Sequence, residues 1–357
     1  MPEKRLGFSK RRVARRGQDL VEAGLVEPSQ AEEIDEVSQV FAMAVTPEML
    51  ALIVPGDRDD PIARQFVPSS EELITLPEER ADPIGDDVFT PVKGITHRYP
   101  DRLLLKPVLV CPIYCRCCFR REKVGPGGGV LTSDELEVAL DYIRVHTEVW
   151  EVILSGGDPL VLSERRIAYI VSALDTIEHV EVIRVHTRVP VVEPGWVTPG
   201  LVQALKVSTP VYVVLHCDHP RELTNAARTA CAALVDAGIP MLSQTVLLKG
   251  VNDDYETLSQ LQRALVRARV KPYYLHHGDL ARGTSHFRTS IEEGQNLMRA
   301  LRGRVSGICQ PTYVLDIPGG HGKVPIGPNY LRRDDMDDRY LVEDFRGGVH
   351  IYPPHNV

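Results

Sequence analysis

The sequence predicts an α/β fold with a parallel sheet that is either open or curled into a barrel. From about residue 102 onwards, short apolar runs alternate with segments whose apolar residues lie three and four positions apart. Such alternation is typical of parallel strands covered by helices. Polar or glycine-rich motifs follow six of the strands, and the carboxyl ends of parallel strands share one edge of a sheet. We therefore expect an active-site rim at that edge.

Seven strands and four helices are predicted in this part of the chain. The strands are 102–110, 151–155, 181–187, 211–217, 241–248, 272–277 and 312–317, and the helices are 133–146, 164–177, 222–238 and 255–269. Pro107 weakens the first strand, because proline cannot donate a hydrogen bond to a neighbouring strand.

The first 95 residues differ from the rest of the chain. Segments 29–43 and 46–54 have helical spacing, and the acidic, proline-bearing stretches 55–61 and 78–87 that follow them favour turns. We predict a helical N-terminal region here, with no catalytic cluster.

Composition and charge exclude several classes of protein. The 357 residues include 41 Lys+Arg and 49 Asp+Glu, a net charge of −8, which argues against a dedicated nucleic-acid binder. Without a run of about 18 apolar residues, no membrane span is expected. The basic stretch 1–20 lacks the apolar core of a secretory signal, so we expect a solvated arm or first helix and a cytoplasmic protein.

The seven cysteines are distributed unevenly. An odd number argues against a secreted disulfide scaffold, and four of them lie within eight residues, 111–118. The spacing Cys111-x3-Cys115-x2-Cys118 suits three corners of a [4Fe–4S] cube, with the fourth iron open to a non-protein ligand. A structural iron–sulfur or zinc site is the alternative. The cysteines at 217, 231 and 309 are expected to be small buried apolar residues.

Two of these motifs together resemble the radical S-adenosylmethionine (SAM) superfamily: CPIYCRCC after the first strand and Ser155-Gly156-Gly157-Asp158 after the second. The resemblance implies a [4Fe–4S] cluster on Cys111, Cys115 and Cys118, with SAM on the open iron. The methionine amino group would meet the backbone of 155–158. The superfamily usually has an aromatic residue before the third cysteine. This chain has Cys117 there, which could compete as a ligand.

Further motifs narrow the resemblance to the lysine 2,3-aminomutase family. THRYPDRLLL, CPIYCRCCFRR, LSGGDPL, KPYYLHHGDL, SHFRTS and VLDIPGGHGKVPIGPNY keep the family's order from about residue 40 to 335. The fold implied is a partial (β/α)6-type radical SAM barrel with a helical N-terminal appendage and a short C-terminal tail. The regions implied are 1–95 for the appendage, 96–317 for the barrel and 318–357 for a lysine-bearing loop and tail.

The family uses pyridoxal 5′-phosphate (PLP), and the resemblance implies its binding residues. Lys323 lies in Pro-Gly-Gly-His-Gly-Lys. Such glycines let the backbone approach a ligand closely, and a lysine amine can form a Schiff base with PLP. Arg98, Tyr99 and Arg102 would hold the PLP phosphate, because guanidinium groups match phosphate geometry.

The resemblance also implies how the substrate is recognised. Arg120 would pair with the α-carboxylate, and Asp279 and Asp316 would bind the distal ammonium of lysine. One cation at one end and two anions at the other select a dibasic amino acid, so an acidic substrate is disfavoured.

The implied reaction is that of an isomerase. A reduced cluster would cleave SAM to an organic radical, and the α-amino group of L-lysine would move to the β-carbon to give β-lysine. An electron donor such as flavodoxin or ferredoxin and a homo-oligomer are also implied, with no nucleic-acid or membrane partner.

Several alternatives remain open on the sequence alone. One is a sister enzyme that makes (R)-β-lysine for modification of elongation factor P, and another is an aminomutase for a different dibasic amino acid such as arginine. A non-catalytic iron–sulfur or PLP-binding protein is a third. Some family members hold a structural zinc. This chain has Asn252-Asp253-Asp254 in place of one cysteine segment and no cysteine after Cys309, so we predict no such zinc.

Overall fold

The computed structural model describes residues 12–57, 59–334 and 339–353. Most of the basic N-terminal arm lies outside these residues, as does part of the C-terminal tail. The described N-terminal region contains four helices: α1 (Gly17–Glu22), α2 (Ala31–Val40), α3 (Pro47–Leu50) and α4 (Pro61–Phe66). The start of α4 is fixed by Asp60, whose Oδ1 accepts hydrogen bonds of 2.9 Å from the N–H groups of Ile62 and Ala63.

Nine strands of the described chain form one sheet whose order follows the sequence. They are β1 (Ile95–Tyr99), β2 (Arg102–Val108), β3 (Glu151–Gly156), β4 (Val182–Thr187), β5 (Val211–His216), β6 (Met241–Val246), β7 (Val270–His276), β8 (Thr312–Asp316) and β9 (Lys323–Pro325). Strands β2 to β8 are parallel, while β1 and β9 pair antiparallel at the two edges. The seven parallel strands are those the sequence predicts.

Helices connect the parallel strands on the outer side of the sheet. They are α5 (Ser133–Val145), α6 (Glu164–Asp175), α7 (Val189–Val192), α8 (Pro199–Ala204), α9 (Asn225–Asp236), α10 (Tyr255–Arg267) and α11 (Ile291–Leu301). In α10, for example, Leu258, Leu261 and Leu265 are fully buried at the spacing of one helix face. Six strand–helix units followed by a closing strand confirm the predicted (β/α)6-type architecture.

Pro107 lies near the end of β2, beyond the last residue of β2 that pairs with β1. The pairing of β1 with β2 extends only to Leu105, and the register of β2 against β3 shifts between Leu105 and Val108. The ring therefore lies at an irregularity of the ladder, where a missing N–H does little harm.

The curl of the sheet gives it two unlike faces. Met241 of β6 is buried in the core formed with the helices, whereas Leu242, Gln244 and Val246 of the same strand line a cavity on the concave face. Because successive side chains of a strand point to opposite faces, alternate residues of one strand reach the core and the cavity.

A separate antiparallel sheet that the sequence did not predict is formed by β10 (Leu331–Arg333), β11 (Tyr340–Glu343) and β12 (Val349–Tyr352). No helix among the described residues is both long and apolar enough to cross a membrane.

Candidate active site

The concave face of the sheet encloses a cavity of about 770 Å³. Every site residue expected from the sequence lines it, although these residues come from distant parts of the chain. They are Arg98, Tyr99, Arg102, Cys111, Cys115, Cys118, Arg120, Ser155, Gly156, Gly157, Asp158, Asp279, Asp316 and Lys323.

The cysteine turn, residues 111–118, follows β2 and forms one wall of the cavity. Burial raises the pKa of the Cys111, Cys115 and Cys118 thiols, to about 11 for Cys115, and each thiol's pKa is raised further by at least one neighbouring charged group. Arg188 Nη1 lies 3.0 Å from Cys115 Sγ as a hydrogen-bond donor. A bound iron would reverse the effect of burial, since metal coordination deprotonates a thiol.

The sulfur atoms are grouped on this wall without converging on one point. Within residues 12–57, 59–334 and 339–353, no three His, Cys, Asp or Glu side chains are arranged to hold a single metal ion. The fourth cysteine of the turn, Cys117, lines the cavity and packs against Leu248, Val251 and Phe287. The three remaining cysteines of the chain are buried, as predicted.

The Ser155–Asp158 turn lies against the strand that leads to the cysteines. Gly156 has a φ of 110°, and a Cβ there would lie 2.5 Å from Val108 O, while one on Gly157 would lie 2.4 Å from Val110 O. Both positions therefore require glycine. The Gly157 N–H donates to Val108 O at 2.7 Å, which docks the turn onto the preceding strand.

Asp158 braces this turn from within the protein. Its carboxylate accepts hydrogen bonds from the N–H groups of Leu160 (3.0 Å) and Arg188 (2.7 Å) and from Thr187 Oγ1 (2.8 Å). Burial raises the pKa of Asp158. Because its oxygens are already occupied, this side chain connects the turn to the end of β4.

Asp86 joins two of the expected binding arginines. Its Oδ1 accepts from Arg98 Nη2 at 3.1 Å, and its Oδ2 accepts from Arg120 Nε at 2.8 Å. Arg120 Nη1 also donates to Ser155 Oγ at 3.3 Å. Burial alone would raise the pKa of Asp86, but the charges of Arg120 and Lys106 outweigh it and lower that pKa.

The location of Asp86 corrects one expectation. The N-terminal region was predicted to contribute no catalytic cluster, yet Ile84 and Asp86 line the cavity. The acidic, proline-bearing stretch looked like an ordinary turn because the sequence could not show which cations it would meet. The boundaries at 95 and 317 remain predictions.

Lys323 begins β9 and faces β7 and β8. Its Nζ forms an ion pair with Asp316 Oδ2 and lies 3.2 Å from His276 Nδ1. The pairing Asp316↔Lys323 in the β8–β9 ladder brings the first two side chains together. Tyr99 Oη accepts the Lys323 backbone N–H at 2.7 Å, so the tyrosine expected to bind phosphate also holds the lysine strand.

The two aspartates expected to bind an ammonium group differ in ionisation. Partial burial and the nearby Asp316 carboxylate raise the pKa of Asp279 to about 7. For Asp316, burial is outweighed by His276 and Lys323, which hold its pKa well below the usual range. Asp316 is therefore an anion already paired with a cation, whereas Asp279 gains its charge only near neutral pH.

Arginine side chains and aromatic rings also line the cavity. Arg102 lies 3.8 Å from the centroid of the Tyr99 ring and donates to Asp101 at 2.6 Å. Arg184 of β4 donates to Glu151 at 2.9 Å, and its buried Nε has no hydrogen-bond partner in the described structure. The same is true of Arg98 Nε. These unpaired donors fit a site for an anionic group.

The sequence left several cavity residues without a role. Arg188 forms ion pairs with Glu222 at 2.8 Å and Asp218 at 3.3 Å, and His186 and His276 line the wall near Lys323. His186 and Arg188 lie at the end of a predicted strand, and His276 lies in the segment KPYYLHHGDL, but nothing in the sequence assigned partners to them.

Comparisons with known proteins agree with this geometry. Residues 105–261 match the model of the radical SAM superfamily, and residues 298–357 match the model described as lysine-2,3-aminomutase. The superfamily match implies a [4Fe–4S] cluster and SAM.

Curated relatives cover most of the chain. An L-lysine 2,3-aminomutase of Clostridium subterminale is 42% identical over 328 residues, which is 91% of this chain and 79% of that protein. One of Methanococcus maripaludis is 43% identical, covering 90% and 74%. A glutamate 2,3-aminomutase of Clostridioides difficile is 39% identical, covering 84% and 71%. The chain belongs to the lysine 2,3-aminomutase family of radical SAM enzymes.

Proposed function

We propose that this isomerase moves the α-amino group of L-lysine to the β-carbon, giving β-lysine. The observation that carries the proposal is the charge pattern of one cavity, in which Arg120 and the carboxylates of Asp279 and Asp316 share the lining with Lys323. An amino acid with a carboxylate at one end and an ammonium group at the other matches that pattern.

The same pattern separates lysine from glutamate, the substrate in the name of one relative. A glutamate side chain would bring a third carboxylate towards Asp279 and Asp316, and like charges in a shielded cavity repel strongly. A distal ammonium group would instead favour the ionised form of Asp279, whose pKa is about 7 without a ligand.

Lys323 is the proposed attachment point for PLP. When bound, PLP supplies a carbonyl carbon that an amine can attack and a π system that supports amino-group migration. Lys323 supplies the amine, Arg98, Tyr99 and Arg102 hold the phosphate, and the pairing of Lys323 with Asp316 orients the Nζ atom. The unpaired, buried Arg98 Nε supports the phosphate assignment.

The cysteine turn is the proposed holder of the cluster, through Cys111, Cys115 and Cys118. Thiolates are the ligands that iron–sulfur clusters prefer, and these three line the cavity beside the Ser155–Asp158 turn. The backbone of that turn would bind the amino group of SAM. We also propose an electron donor such as flavodoxin or ferredoxin, and a homo-oligomer.

The decisive experiment is a substrate panel. Protein reconstituted anaerobically with iron, sulfide, PLP, SAM and a reductant is incubated with lysine, arginine, ornithine or glutamate, and the amino acids are separated by chromatography. We expect 3,6-diaminohexanoate from lysine. SAM cleavage without this product would overturn the substrate assignment. Turnover of arginine in preference to lysine would favour the other dibasic alternative, and resolving the product on a chiral column distinguishes the (R)-β-lysine enzyme.

Two variants test the residues. Asp279→Lys should shift preference away from dibasic substrates, and unchanged lysine turnover would remove Asp279 from the site. Lys323→Ala should abolish the covalent pyridoxyl label that borohydride leaves on the protein. The control is Lys206→Ala, an exposed lysine outside the cavity, which should keep the label. A labelled Lys323→Ala protein would identify another lysine as the attachment point.

A further inference from the structure

His276 is the last residue of β7, and its imidazole contacts the amine of Lys323. Its Nδ1 is 3.2 Å from Lys323 Nζ and 3.6 Å from Asp316 Oδ2. The three side chains come from neighbouring strands of the sheet, since β8 pairs with both β7 and β9. A basic imidazole nitrogen is thus in hydrogen-bonding range of the amine that the proposed function requires.

The contact with Lys323 determines the tautomer of His276. A lysine ammonium group can only donate, so Nδ1 must accept and the imidazole proton must be on Nε2. Nε2 is buried, and no described residue offers it a hydrogen-bond partner.

We propose that His276 is the proton acceptor that converts the Lys323 ammonium group into a nucleophilic amine. The proposal rests on the assignment of Lys323 as the PLP lysine. Asp316, which contacts both residues, stabilises the imidazolium that forms.

Basicity distinguishes the two groups that could take the proton. Asp316 has a pKa held well below the usual range by His276 and Lys323 despite its burial, so it is a very weak base. Burial and the Lys323 charge lower the pKa of His276 to about 4. After the proton moves, Lys323 is neutral and no longer lowers the pKa of His276. The new imidazolium then lies beside the Asp316 carboxylate, which stabilises it.

Other titratable groups face His276 from the surrounding strands. His216 of β5 slightly lowers the pKa of His276, and His276 in turn lowers the pKa of His186 of β4. The centroids of the Tyr274 and His276 rings are 5.6 Å apart. Burial lowers the pKa of His186 well below its usual value, so that ring is neutral and does not compete as a cation.

The step balances without an external reagent. One Nζ–H bond breaks, its proton goes to Nδ1, and the freed electron pair forms a bond to the aldehyde carbon while the carbonyl π pair moves to oxygen. That oxygen takes back the proton from His276 and a second one from Nζ, and leaves as water as the C=N bond closes. The nitrogen keeps one proton and the positive charge, and His276 is regenerated.

The experiment measures the rate of PLP attachment, which requires neither cluster nor substrate turnover. Full-length protein freed of PLP is mixed with PLP at several pH values, samples are quenched with borohydride, and the pyridoxyl-labelled Lys323 peptide is quantified by mass spectrometry. His276→Asn keeps an acceptor near the position of Nδ1 but is not a base. The matched control is the adjacent His277→Asn. His277 lies outside the cavity lining, and its Nδ1 is 2.8 Å from Tyr313 Oη.

We expect labelling of His276→Asn to be slower by about 100-fold near neutral pH, the usual scale for loss of a positioned proton acceptor. The rate should recover as pH rises, because hydroxide then serves as the proton acceptor in place of the imidazole. The His277→Asn protein should label at the wild-type rate. Labelling of His276→Asn at the wild-type rate across the pH range would overturn the proposal.

Two further results separate the possible failures. If wild-type protein acquires no label at Lys323, the proposed function has failed and not merely the role of His276. If His276→Asn does not fold, as judged by circular dichroism, His276→Gln replaces it with the same expectation. A slow rate with an unchanged pH dependence in either variant would show that His276 only positions Lys323, and the proton-acceptor role would be wrong.

Discussion

The cysteine turn and the β8–β9 hairpin face the same cavity but are held in place very differently. Arg116, within the turn, is 1% exposed, and its guanidinium donates to Glu72 Oε1 and Oε2 at 2.6–3.0 Å. It also donates to the carbonyl oxygens of Phe41 and Ala42 at 3.2 and 2.9 Å. The turn is therefore fixed to the N-terminal region by a buried ion pair and backbone contacts.

The hairpin that carries Lys323 has fewer attachments. Lys323 is half-buried at the edge of the sheet, and the following Val324 is exposed. Apart from the short β8–β9 ladder, its backbone is held by one hydrogen bond to Tyr99, and its amine contacts Asp316 and His276. A cluster needs ligands of fixed geometry, whereas an amine that condenses with a cofactor must be able to change partners. The contrast fits the two tasks that we propose for these residues.

The largest effect on activity is expected in the cysteine turn. Cys115→Ala should abolish iron retention and SAM cleavage, because one corner of the cluster loses its ligand. Iron content and 5′-deoxyadenosine formation after anaerobic reconstitution provide the measurement. Cys231→Ala, a buried thiol in α9, should retain both functions. A Cys115→Ala protein that still cleaves SAM would contradict the cluster assignment.

The next largest effect tests whether the buried ion pairs of Glu72 hold the cysteine turn in place. Glu72→Gln leaves Arg116 and Arg121 without their common carboxylate and should lower the free energy of unfolding by about 3–5 kcal/mol. Denaturant unfolding measures it, and the exposed neighbour Glu71→Gln should change little. Equal stability of the two variants would show that the turn is held by other contacts.

The Glu72 ion pair also predicts a pH dependence. Burial would raise the pKa of Glu72, but Arg116 and Arg121 outweigh it and lower that pKa. Its contribution to stability is therefore complete above the ordinary carboxyl pKa and disappears as pH falls through the lowered value. Glu72→Gln should accordingly lose less stability than wild type in acid.

Asp279 should give a pH dependence of stability opposite to that of Glu72. With a pKa raised to about 7, it contributes stability that is complete below its ordinary pKa of about 4 and is lost as pH rises through 7. Wild-type protein should thus lose more stability than Asp279→Asn between about pH 4 and 7, as measured by thermal unfolding without ligand. Parallel curves for the two proteins would show that Asp279 is ionised throughout this range.

The smallest effect concerns the hydrogen bond from the Lys323 backbone N–H to Tyr99 Oη. Tyr99→Phe removes a single hydrogen-bond acceptor and should cost about 1 kcal/mol of unfolding free energy. The exposed Tyr169→Phe is the comparison variant. Borohydride labelling of Lys323 should persist in Tyr99→Phe at a lower rate. A loss as large as that of Glu72→Gln would mean that the hairpin is as firmly held as the cysteine turn.

The parts of the fold that follow from local pattern were predicted well. The seven parallel strands and four of the helices between them were predicted from their periodic apolar residues, whereas α7, α8 and α11 were not. The cysteine and glycine motifs fall at strand ends, where a parallel sheet collects them. The three short strands after residue 330 were missed, because most of their side chains are exposed and leave no apolar alternation.

The sequence by itself determined which residues are candidates for the chemistry: Cys111, Cys115 and Cys118 through their spacing, and Lys323 through the family motif that contains it. Only the tertiary structure decided their partners. Asp86 meets Arg98 and Arg120 across the cavity, and His276 meets Lys323 across three strands. Such pairs depend on how far the sheet curls and which strands become neighbours. The curl arises from packing over the whole chain, and no short stretch of sequence contains it.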